Sequence, residues 1–234
     1  MTRLRMALLD ASHGADHTRR DFRRELDADL EAFDVTAGEL PPSFAYDAAV
    51  VTGSASSVYA DDPWIADLLT WLRDAHGAGL PMLGVCYGHQ ALAAALGGRV
   101  EPMGEYEIGY REIRRRAEDP LFAGVPERFL AFTTHQDTVT ELPPDATLLA
   151  ENDFGVHAFR VDDAVGVQFH PEYDRESATT VTRGKLETLG EARTRAVLAD
   201  VSPENYALAQ AAKRLFDNFT DGVRARRDAA PAST

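Results

Sequence analysis

Short apolar runs and longer amphipathic stretches alternate along the first hundred residues. The apolar runs lie at residues 3–9, 48–52 and 81–85, and their length and continuous hydrophobicity predict buried strands. The stretches between them place apolar side chains three or four positions apart, which predicts helices. Strands that alternate with helices in this order indicate a parallel sheet covered on both faces.

Three helices are predicted in this part of the chain, each bounded by residues typical of helix ends. Their predicted bounds are residues 16–33, then Asp61-Asp62-Pro63 to near Gly77, then 91–96 before Gly97-Gly98. The apolar positions expected to face the core are Phe22, Leu26, Leu30 and Phe33 in the first helix, and Ile65, Leu68, Leu69 and Leu72 in the second. Such stripes are typical of helices that pack on a sheet.

The pattern changes after Arg99, where short alternating runs separated by turn residues continue to Tyr173. The predicted strands lie at residues 110–113, 129–132, 147–150, 156–159 and 165–169. Their close spacing is typical of antiparallel hairpins. The predicted fold is therefore α/β, with an open, mostly parallel sheet, helices on both faces and added antiparallel hairpins.

The chain returns to a helical pattern after Tyr173. Ser202-Pro203 is typical of a helix N-cap and first turn. An apolar stripe follows at Leu208, Ala212, Leu215, Phe219 and Val223. The stripe is expected to pack on the protein's own core, with docking of a partner as the alternative. The predicted organisation is a domain at 1–175, a C-terminal helical extension packed on it at 176–227, and a disordered tail at 228–234.

Composition narrows the class of protein. The chain has 234 residues, 44% of them apolar, which suits one α/β domain with an appendage. A formal net charge of -14 disfavours nucleic-acid binding, because phosphates would be repelled. The single cysteine fits a reducing compartment, and the chain shows neither a signal peptide nor a membrane-spanning run, so the cytoplasm is the expected location. A homo-oligomer stays open, since a local apolar patch can pair two acidic surfaces.

The segment Gly84-Val85-Cys86-Tyr87-Gly88-His89-Gln90 joins a predicted strand to a predicted helix. Small residues two positions before and after a nucleophile permit a strained turn that lifts its side chain above the sheet. The following helix N-terminus favours a thiolate. A lone cysteine on a strand is usually a small core residue, but the two glycines reverse that expectation and indicate a nucleophile at Cys86.

The segment Val165 to Glu172 supplies a base for this nucleophile. Val165, Val167 and Phe169 alternate as a strand with one buried face, and His170 and Glu172 follow at its end. Residues two apart in an extended segment point the same way, so the carboxylate can orient the imidazole. An imidazole near a thiol converts part of it to thiolate and later protonates the leaving nitrogen. A surface histidine at a strand end is the alternative for this segment taken alone.

Together, the Gly84–Gln90 and Gln168–Glu172 segments resemble the two signatures of the class I glutamine amidotransferases. The resemblance covers about the first 175 residues and is closest to the amidotransferase domain of GMP synthase and its stand-alone relatives. It implies a flavodoxin-like α/β fold with Cys86, His170 and Glu172 as catalytic residues. It also implies hydrolysis of the glutamine side-chain amide through a γ-glutamyl thioester, which gives glutamate and ammonia without a cofactor.

Further matches implied by the resemblance concern the oxyanion and the substrate. Thr52-Gly53-Ser54 lies where the family has its oxyanion loop, so the backbone N–H groups of Gly53 and Tyr87 are expected to hold the oxyanion. The family usually has two glycines and a proline there, and this chain has only Gly53. The implied substrate-binding residues are Gln90, Gly109 (in Glu107-Ile108-Gly109), His135, Gln136 and Asp137. A plain hairpin turn explains the last three nearly as well.

Three functions stay open on the sequence. The chain produces ammonia for a synthetase, which would be a separate protein because no nucleotide-binding motif is visible. Alternatively it works alone on γ-glutamyl peptides or amides, which the long extension after Glu172 mildly favours. The third is an inactive homologue that serves as a binding module, against which the intact catalytic residues argue. No metal site is expected from the spacing of the other histidines, His13, His17, His76, His89 and His157.

Overall fold

A nine-stranded sheet runs through the centre of the computed structural model, which describes residues 3–229. The strands are β1 (Leu4–Asp10), β2 (Ala28–Asp34), β3 (Ala48–Val51), β4 (Met82–Val85), β5 (Arg99–Arg115), β6 (Arg128–Glu141), β7 (Thr147–Asn152), β8 (Gly155–Val161) and β9 (Ala164–Val167). Their order across the sheet is β2-β1-β3-β4-β9-β8-β7-β5-β6. In this order, the five strands from β2 to β9 pair in parallel with their neighbours. The remaining four strands, from β8 to β6, extend the sheet by antiparallel pairing. The predicted combination of a parallel sheet with added hairpins is confirmed.

Helices cover both faces of this sheet. They are α1 (Asp16–Glu25), α2 (Pro63–Gly77), α3 (Tyr87–Ala95), α4 (Arg175–Gly184), α5 (Leu186–Leu189), α6 (Glu191–Asp200) and α7 (Pro203–Ala229). Among residues 3–229, no helix is both long enough and apolar enough to cross a membrane. Two of the predicted helices, α2 and α3, occur near their expected positions. Helix α3 begins four residues before the predicted start at residue 91.

Two apolar layers form the core because side chains alternate along the buried strands. Leu4, Met6 and Leu8 of β1 pack in the layer that contains α1 and α7, whereas Ala7 and Leu9 pack in the layer that contains α2 and α3. All five side chains are fully buried. The parallel half of the sheet is therefore covered on both faces, as its continuous apolar runs predict.

The prediction of a single helix over residues 16–33 is wrong. The helix α1 ends at Glu25, and Ala28–Asp34 forms the edge strand β2, which pairs in parallel with β1. Phe22 and Leu26 fit a helical period, but beyond them apolar and acidic residues alternate in Ala-Asp-Leu-Glu-Ala-Phe with the period of a strand. Pairing with β1 holds this segment as a strand. The helix prediction had counted Leu30 and Phe33 as positions of a helical stripe.

The C-terminal helices pack along the antiparallel part of the sheet. A third apolar cluster joins Ile108 and Phe132 of the sheet to Ala178, Val197 and Val201 of the helical segment. On α7, the predicted stripe is buried at Ala212, Leu215, Phe219 and Val223, whereas Leu208 is 64% exposed. Of the tail expected at 228–234, the first two residues still belong to α7, and residues 230–234 lie outside the described residues.

Candidate active site

Cys86 occupies a tight turn between β4 and α3. Its backbone has φ 55 and ψ -103, a conformation that costs a residue other than glycine on the order of 1–3 kcal/mol. Two glycines permit the turn, because a Cβ on Gly84 would lie 2.3 Å from the carbonyl oxygen of Gly88, and a Cβ on Gly88 would lie 2.4 Å from that of Val51. The amide of Cys86 donates a hydrogen bond to the carbonyl of Val167 at 2.8 Å. The sulfur therefore lies at the carboxyl end of the parallel strands, beside the first turn of α3.

His170 and Glu172 follow β9, which is the neighbour of β4 in the sheet. The ring Nδ1 of His170 lies 2.7 Å from Oε1 of Glu172, and both side chains are almost completely buried. The ring of Tyr173 stacks on that of His170 with the centroids 4.2 Å apart. Within residues 3–229, the other ring nitrogen, Nε2, makes no hydrogen bond to a protein group. His170 and Cys86 line the same cavity, so Nε2 is available to exchange a proton with the sulfur of Cys86.

Electrostatics favour a charged imidazole in this position. Burial would lower the pKa of His170, but the negative charges of Glu172 and Cys86 outweigh it and raise the pKa above its ordinary value. As a thiol, Cys86 can donate to the carbonyl oxygen of Thr134, 3.7 Å from its sulfur. The arrangement therefore supports a thiolate and imidazolium pair steadied by a carboxylate.

Two backbone amides beside the sulfur are free to bind an oxyanion. Gly53 follows β3, and a Cβ added to it would lie 3.1 Å from Cε1 of His170 and 3.7 Å from the Cβ of Cys86. Within residues 3–229, neither the amide of Gly53 nor that of Tyr87 donates a hydrogen bond. The one glycine of this loop thus lies where a side chain would crowd the imidazole.

Four of the five residues that sequence reasoning assigned to the substrate line a cavity of about 40 Å³ next to Cys86; they are Gln90, His135, Gln136 and Asp137. The side-chain amide of Gln90 donates to the carbonyl of Asp137 and to the side chain of Gln168, both at 3.0 Å. The carboxylate of Asp137 accepts hydrogen bonds from Ser57 at 2.5 Å and Tyr59 at 2.7 Å. Gln90 and Asp137 therefore hold the wall of the cavity together.

The fifth of these residues, Gly109, does not reach either cavity beside Cys86. It lies in β5 at φ 105 beneath α6, where an added Cβ would meet Val197 at 3.6 Å. Ile108 points into the apolar cluster under the same helix. The C-terminal segment covers this part of β5, and the local sequence around Gly109 carries no signal of that long-range packing.

A buried polar network lies behind the small cavity. The carboxylate of Glu107, fully buried, accepts hydrogen bonds from Nε2 of His135 and from the amide of Asn152, both at 2.6 Å, and lies 3.2 Å from Nε2 of His157. The ring Nδ1 of His135 lies 2.9 Å from the carbonyl of Asp137. Burial would raise the pKa of Glu107, but these histidines lower it to about 2.

Glu107, His135 and His157 together form a set of possible metal ligands that their spacing along the sequence did not indicate. The ligand atoms of Glu107, His135 and His157 all lie within 4.8 Å of one another, which is compatible with a metal ion. The 2.6 Å contact between Glu107 and His135, however, is the length of a charge-assisted hydrogen bond. The residues come from three different strands, so their separation along the chain resembles no metal-binding motif.

Helices α1 and α4 brace the end of β9. Arg24 donates to the backbone carbonyl of Glu172 and, at 2.8 Å, to both Asp21 and Asp174. Asp21 is fully buried and accepts from the hydroxyl of Ser177 at 2.5 Å. The segment that follows Glu172 is thereby tied to the end of the sheet where Cys86 and His170 lie.

Comparison with known proteins decides which family this geometry represents. The family model for class I glutamine amidotransferases matches residues 8–185. The chain belongs to this family. The match spans the strained turn at Cys86, the His170 and Glu172 pair and the helix α4 that follows them, so the amidotransferase unit includes part of the C-terminal segment.

The relatives similar in sequence are much longer proteins. GMP synthase (glutamine-hydrolyzing) from Thermomicrobium roseum is 40% identical over 124 residues, which cover 53% of this chain and 23% of that protein. The protein of the same name from Aromatoleum aromaticum is 33% identical over 165 residues, covering 66% of this chain and 30% of the relative. The amidotransferase family member described here thus matches less than a third of either relative.

Solved structures of similar size share the fold. A glutamine amidotransferase from Thermotoga maritima superposes with a TM-score of 0.81 at 22% identity, over 94% of this chain and 100% of that one. A glutamine amidotransferase from Methylobacillus flagellatus gives a TM-score of 0.78 at 19% identity, over 94% and 96% of the two chains. The likeness extends over nearly the whole amidotransferase chain, including the helices after Glu172.

Sequence reasoning missed several residues that line the cavities of this amidotransferase, among them Tyr106, Tyr173 and Lys185. Tyr106 and Lys185 line both cavities beside Cys86, and Tyr173 lines the larger one. Tyr173 could have been found, since it follows the His170 and Glu172 motif directly. Lys185 could not, because only the packing of α4 and α5 over the sheet brings it to the site.

Proposed function

We propose that this protein hydrolyses the side-chain amide of glutamine or a γ-glutamyl amide, with Cys86 as nucleophile, His170 as base and acid, and Glu172 as the group that orients His170. The observation that carries the proposal is the strained Cys86, which shares a cavity with an imidazole whose other nitrogen is bound to Glu172 at 2.7 Å. Strain of this kind persists where the position of a side chain is needed for function.

The first half of the reaction transfers the glutamyl group to sulfur. The thiolate of Cys86 attacks the γ-carbonyl carbon, and the amides of Gly53 and Tyr87 bind the oxyanion that forms. The imidazolium of His170 gives its Nε2 proton to the leaving nitrogen as the carbon–nitrogen bond breaks. The products of this half are a γ-glutamyl thioester and ammonia or a free amine.

The second half returns the enzyme to its starting state. Neutral His170 removes a proton from water, and the resulting hydroxide attacks the thioester carbon. The carbon–sulfur bond breaks, which releases glutamate and restores the thiolate. Glu172 keeps Nδ1 protonated throughout, so the same nitrogen, Nε2, handles the proton in both halves.

The small cavity is proposed to hold the glutamyl part of the substrate. Gln90, His135, Gln136 and Asp137 form its wall, and the backbone of this loop offers donors and acceptors to an α-amino acid. We leave Gly109 out of the site, because it lies beneath α6 rather than at the cavity.

The nitrogen released from the substrate can be ammonia or a larger amine, and each corresponds to a different activity. Relatives of this chain are named GMP synthases, which favours ammonia production for a synthetase. The second cavity beside Cys86, which is larger than the first, favours cleavage of γ-glutamyl amides by this chain alone. An inactive binding module is the remaining alternative, and the complete Cys86, His170 and Glu172 set argues against it.

Alkylation by a chloroketone analogue of glutamine tests the proposal. Cys86 is the only cysteine, so any thioether formed on the protein reports on this residue. We expect stoichiometric labelling at neutral pH, which free glutamate slows and glycine does not. Labelling no faster than that of a free thiol, together with no amide hydrolysis, would identify the chain as an inactive homologue.

Replacement of Glu172 by glutamine should lower kcat/KM for amide hydrolysis by about 10² to 10⁴-fold, because the imidazole loses its orienting acceptor. It should also move the alkaline limb of the pH profile. Glu172 raises the pKa of His170, so without this charge His170 loses its proton at lower pH. The alkaline limb of the rate profile, where His170 loses its proton, is therefore expected to move to lower pH. Initial rates of glutamate release across pH measure both effects.

The matched control for that experiment is Glu187→Gln. Glu187 is exposed on α5 and outside the cavities, so the variant removes an equal charge without touching His170. We expect wild-type rates and an unshifted profile. A Glu172→Gln enzyme with the same alkaline limb as this control would show that Glu172 does not govern the charge of His170.

A further inference from the structure

The larger cavity beside Cys86 adjoins the proposed glutamyl site, and Tyr106 and Lys185 line both. It measures about 230 Å³, against about 40 Å³ for the small cavity. It contains none of the four residues assigned to the glutamyl part, and Tyr173 and Val181 give it apolar walls. With the glutamyl group in the small cavity, this larger space has room for the group that leaves. Ammonia alone needs far less room.

The charge of this cavity differs from that of the molecule. Aspartate and glutamate make up 38 of the 234 residues. Yet within residues 3–229, Glu172 is the one acidic side chain on the cavity wall, and it already binds His170. The basic side chains of His17 and Lys185 face the same space. A strongly acidic protein thus has a lysine and a single, already paired carboxylate on this cavity wall, which favours an anionic group beside Lys185.

Within residues 3–229, Lys185 is the one lysine or arginine on this cavity wall. The chain has only two lysines, and the other, Lys213, binds Glu25 at 2.6 Å. Within the described residues, Nζ of Lys185 makes no ion pair and lies 5.6 Å from the centre of the Tyr106 ring. That contact is a weak cation–π interaction, which leaves all three N–H donors available. Half-burial at the junction of α4 and α5 holds the side chain at the site.

We propose that the preferred substrates are γ-glutamyl amino acids or peptides, and that Lys185 binds the carboxylate of their amine portion. The inference rests on the proposed function, whose chemistry it keeps. Cys86 displaces the amino acid as a free amine that takes the Nε2 proton of His170, and water then releases glutamate from the thioester. The net reaction consumes one water and yields glutamate and one amino acid or peptide.

A panel of three substrates and the variant Lys185→Met tests this assignment. The substrates are glutamine, γ-glutamylglycinamide and γ-glutamylglycine, of which only the last carries a carboxylate on its leaving group. We expect wild-type kcat/KM to be highest for γ-glutamylglycine. Lys185→Met should lower that value about tenfold or more through KM and change the other two less than about twofold, since a hydrogen bond to a charged group is lost. Lys185→Arg should restore most of the preference.

Arg183→Met is the matched control, because Arg183 is exposed on the same helix and outside the cavity. It should leave all three substrates unchanged. An equal loss for all three in Lys185→Met would mean that Lys185 binds the glutamyl carboxylate instead, which overturns the proposal. So would a wild-type preference for glutamine that Lys185→Met does not alter. Absence of hydrolysis for every substrate would instead refute the proposed function.

Discussion

Replacement of Cys86 by alanine should lower amide hydrolysis by about 10⁴-fold or more, because no other group can form the thioester. The single cysteine makes the result unambiguous, since no second thiol can substitute for it. Serine should restore little of the rate, because His170 is arranged as the charged partner of a thiolate and a hydroxyl does not ionise in this range. Glutamate release and the mass of trapped acyl-enzyme measure the loss.

Stability distinguishes a chemical defect from a folding defect in this series. Cys86 holds φ 55, so alanine and serine inherit the same backbone strain and should unfold at nearly the wild-type free energy. Glycine adopts this conformation without strain, and Cys86→Gly should be inactive yet more stable than Cys86→Ala by about 1 kcal/mol. Hydrolysis retained in the alanine variant would remove Cys86 from the mechanism.

Local signals explain why the core of this site can be predicted from the sequence. The spacing of Gly84 and Gly88 around Cys86 indicates a tight turn, and the residues that the turn requires all lie within this five-residue segment. His170 and Glu172 are likewise two residues apart, so their contact needs only an extended backbone between them. What brings the two segments together is the pairing of β4 with β9, and alternating strands and helices predict such a sheet without its order.

Long-range packing explains what the sequence did not reveal. Glu107 meets His135 because β5 and β6 pair in a register that sets these residues opposite each other, directly after an irregularity between Pro102 and Glu107. Asn152 and His157 join them from β7 and β8. No pattern along the chain encodes that register. Lys185 reaches the cavity only because α4 and α5 return over the sheet.

Replacement of Glu107 by glutamine should destabilise the fold by about 3 kcal/mol or more at pH 7, since the buried groups of His135 and Asn152 would lose the carboxylate that both of them bind. The new amide has a single acceptor oxygen and cannot replace the carboxylate at both His135 and Asn152. For a chain of this size, the melting temperature should fall by roughly 6–12 °C. Glu105→Gln removes an exposed charge two residues away and should change stability by less than about 0.5 kcal/mol.

Acid should erase the difference between Glu107→Gln and the wild type. The folded-state pKa of Glu107 is about 2, below the ordinary value of 4.5, so its charge stabilises the folded state fully above about pH 4.5. That contribution is lost as the pH falls from 4.5 toward 2, because the carboxylate is protonated in the folded state as well. Urea unfolding at a series of pH values should therefore show two curves that converge at low pH. Parallel curves, or a loss no larger than that of Glu105→Gln, would mean that the buried carboxylate is not what holds His135 and the Asp137 loop behind the glutamyl cavity.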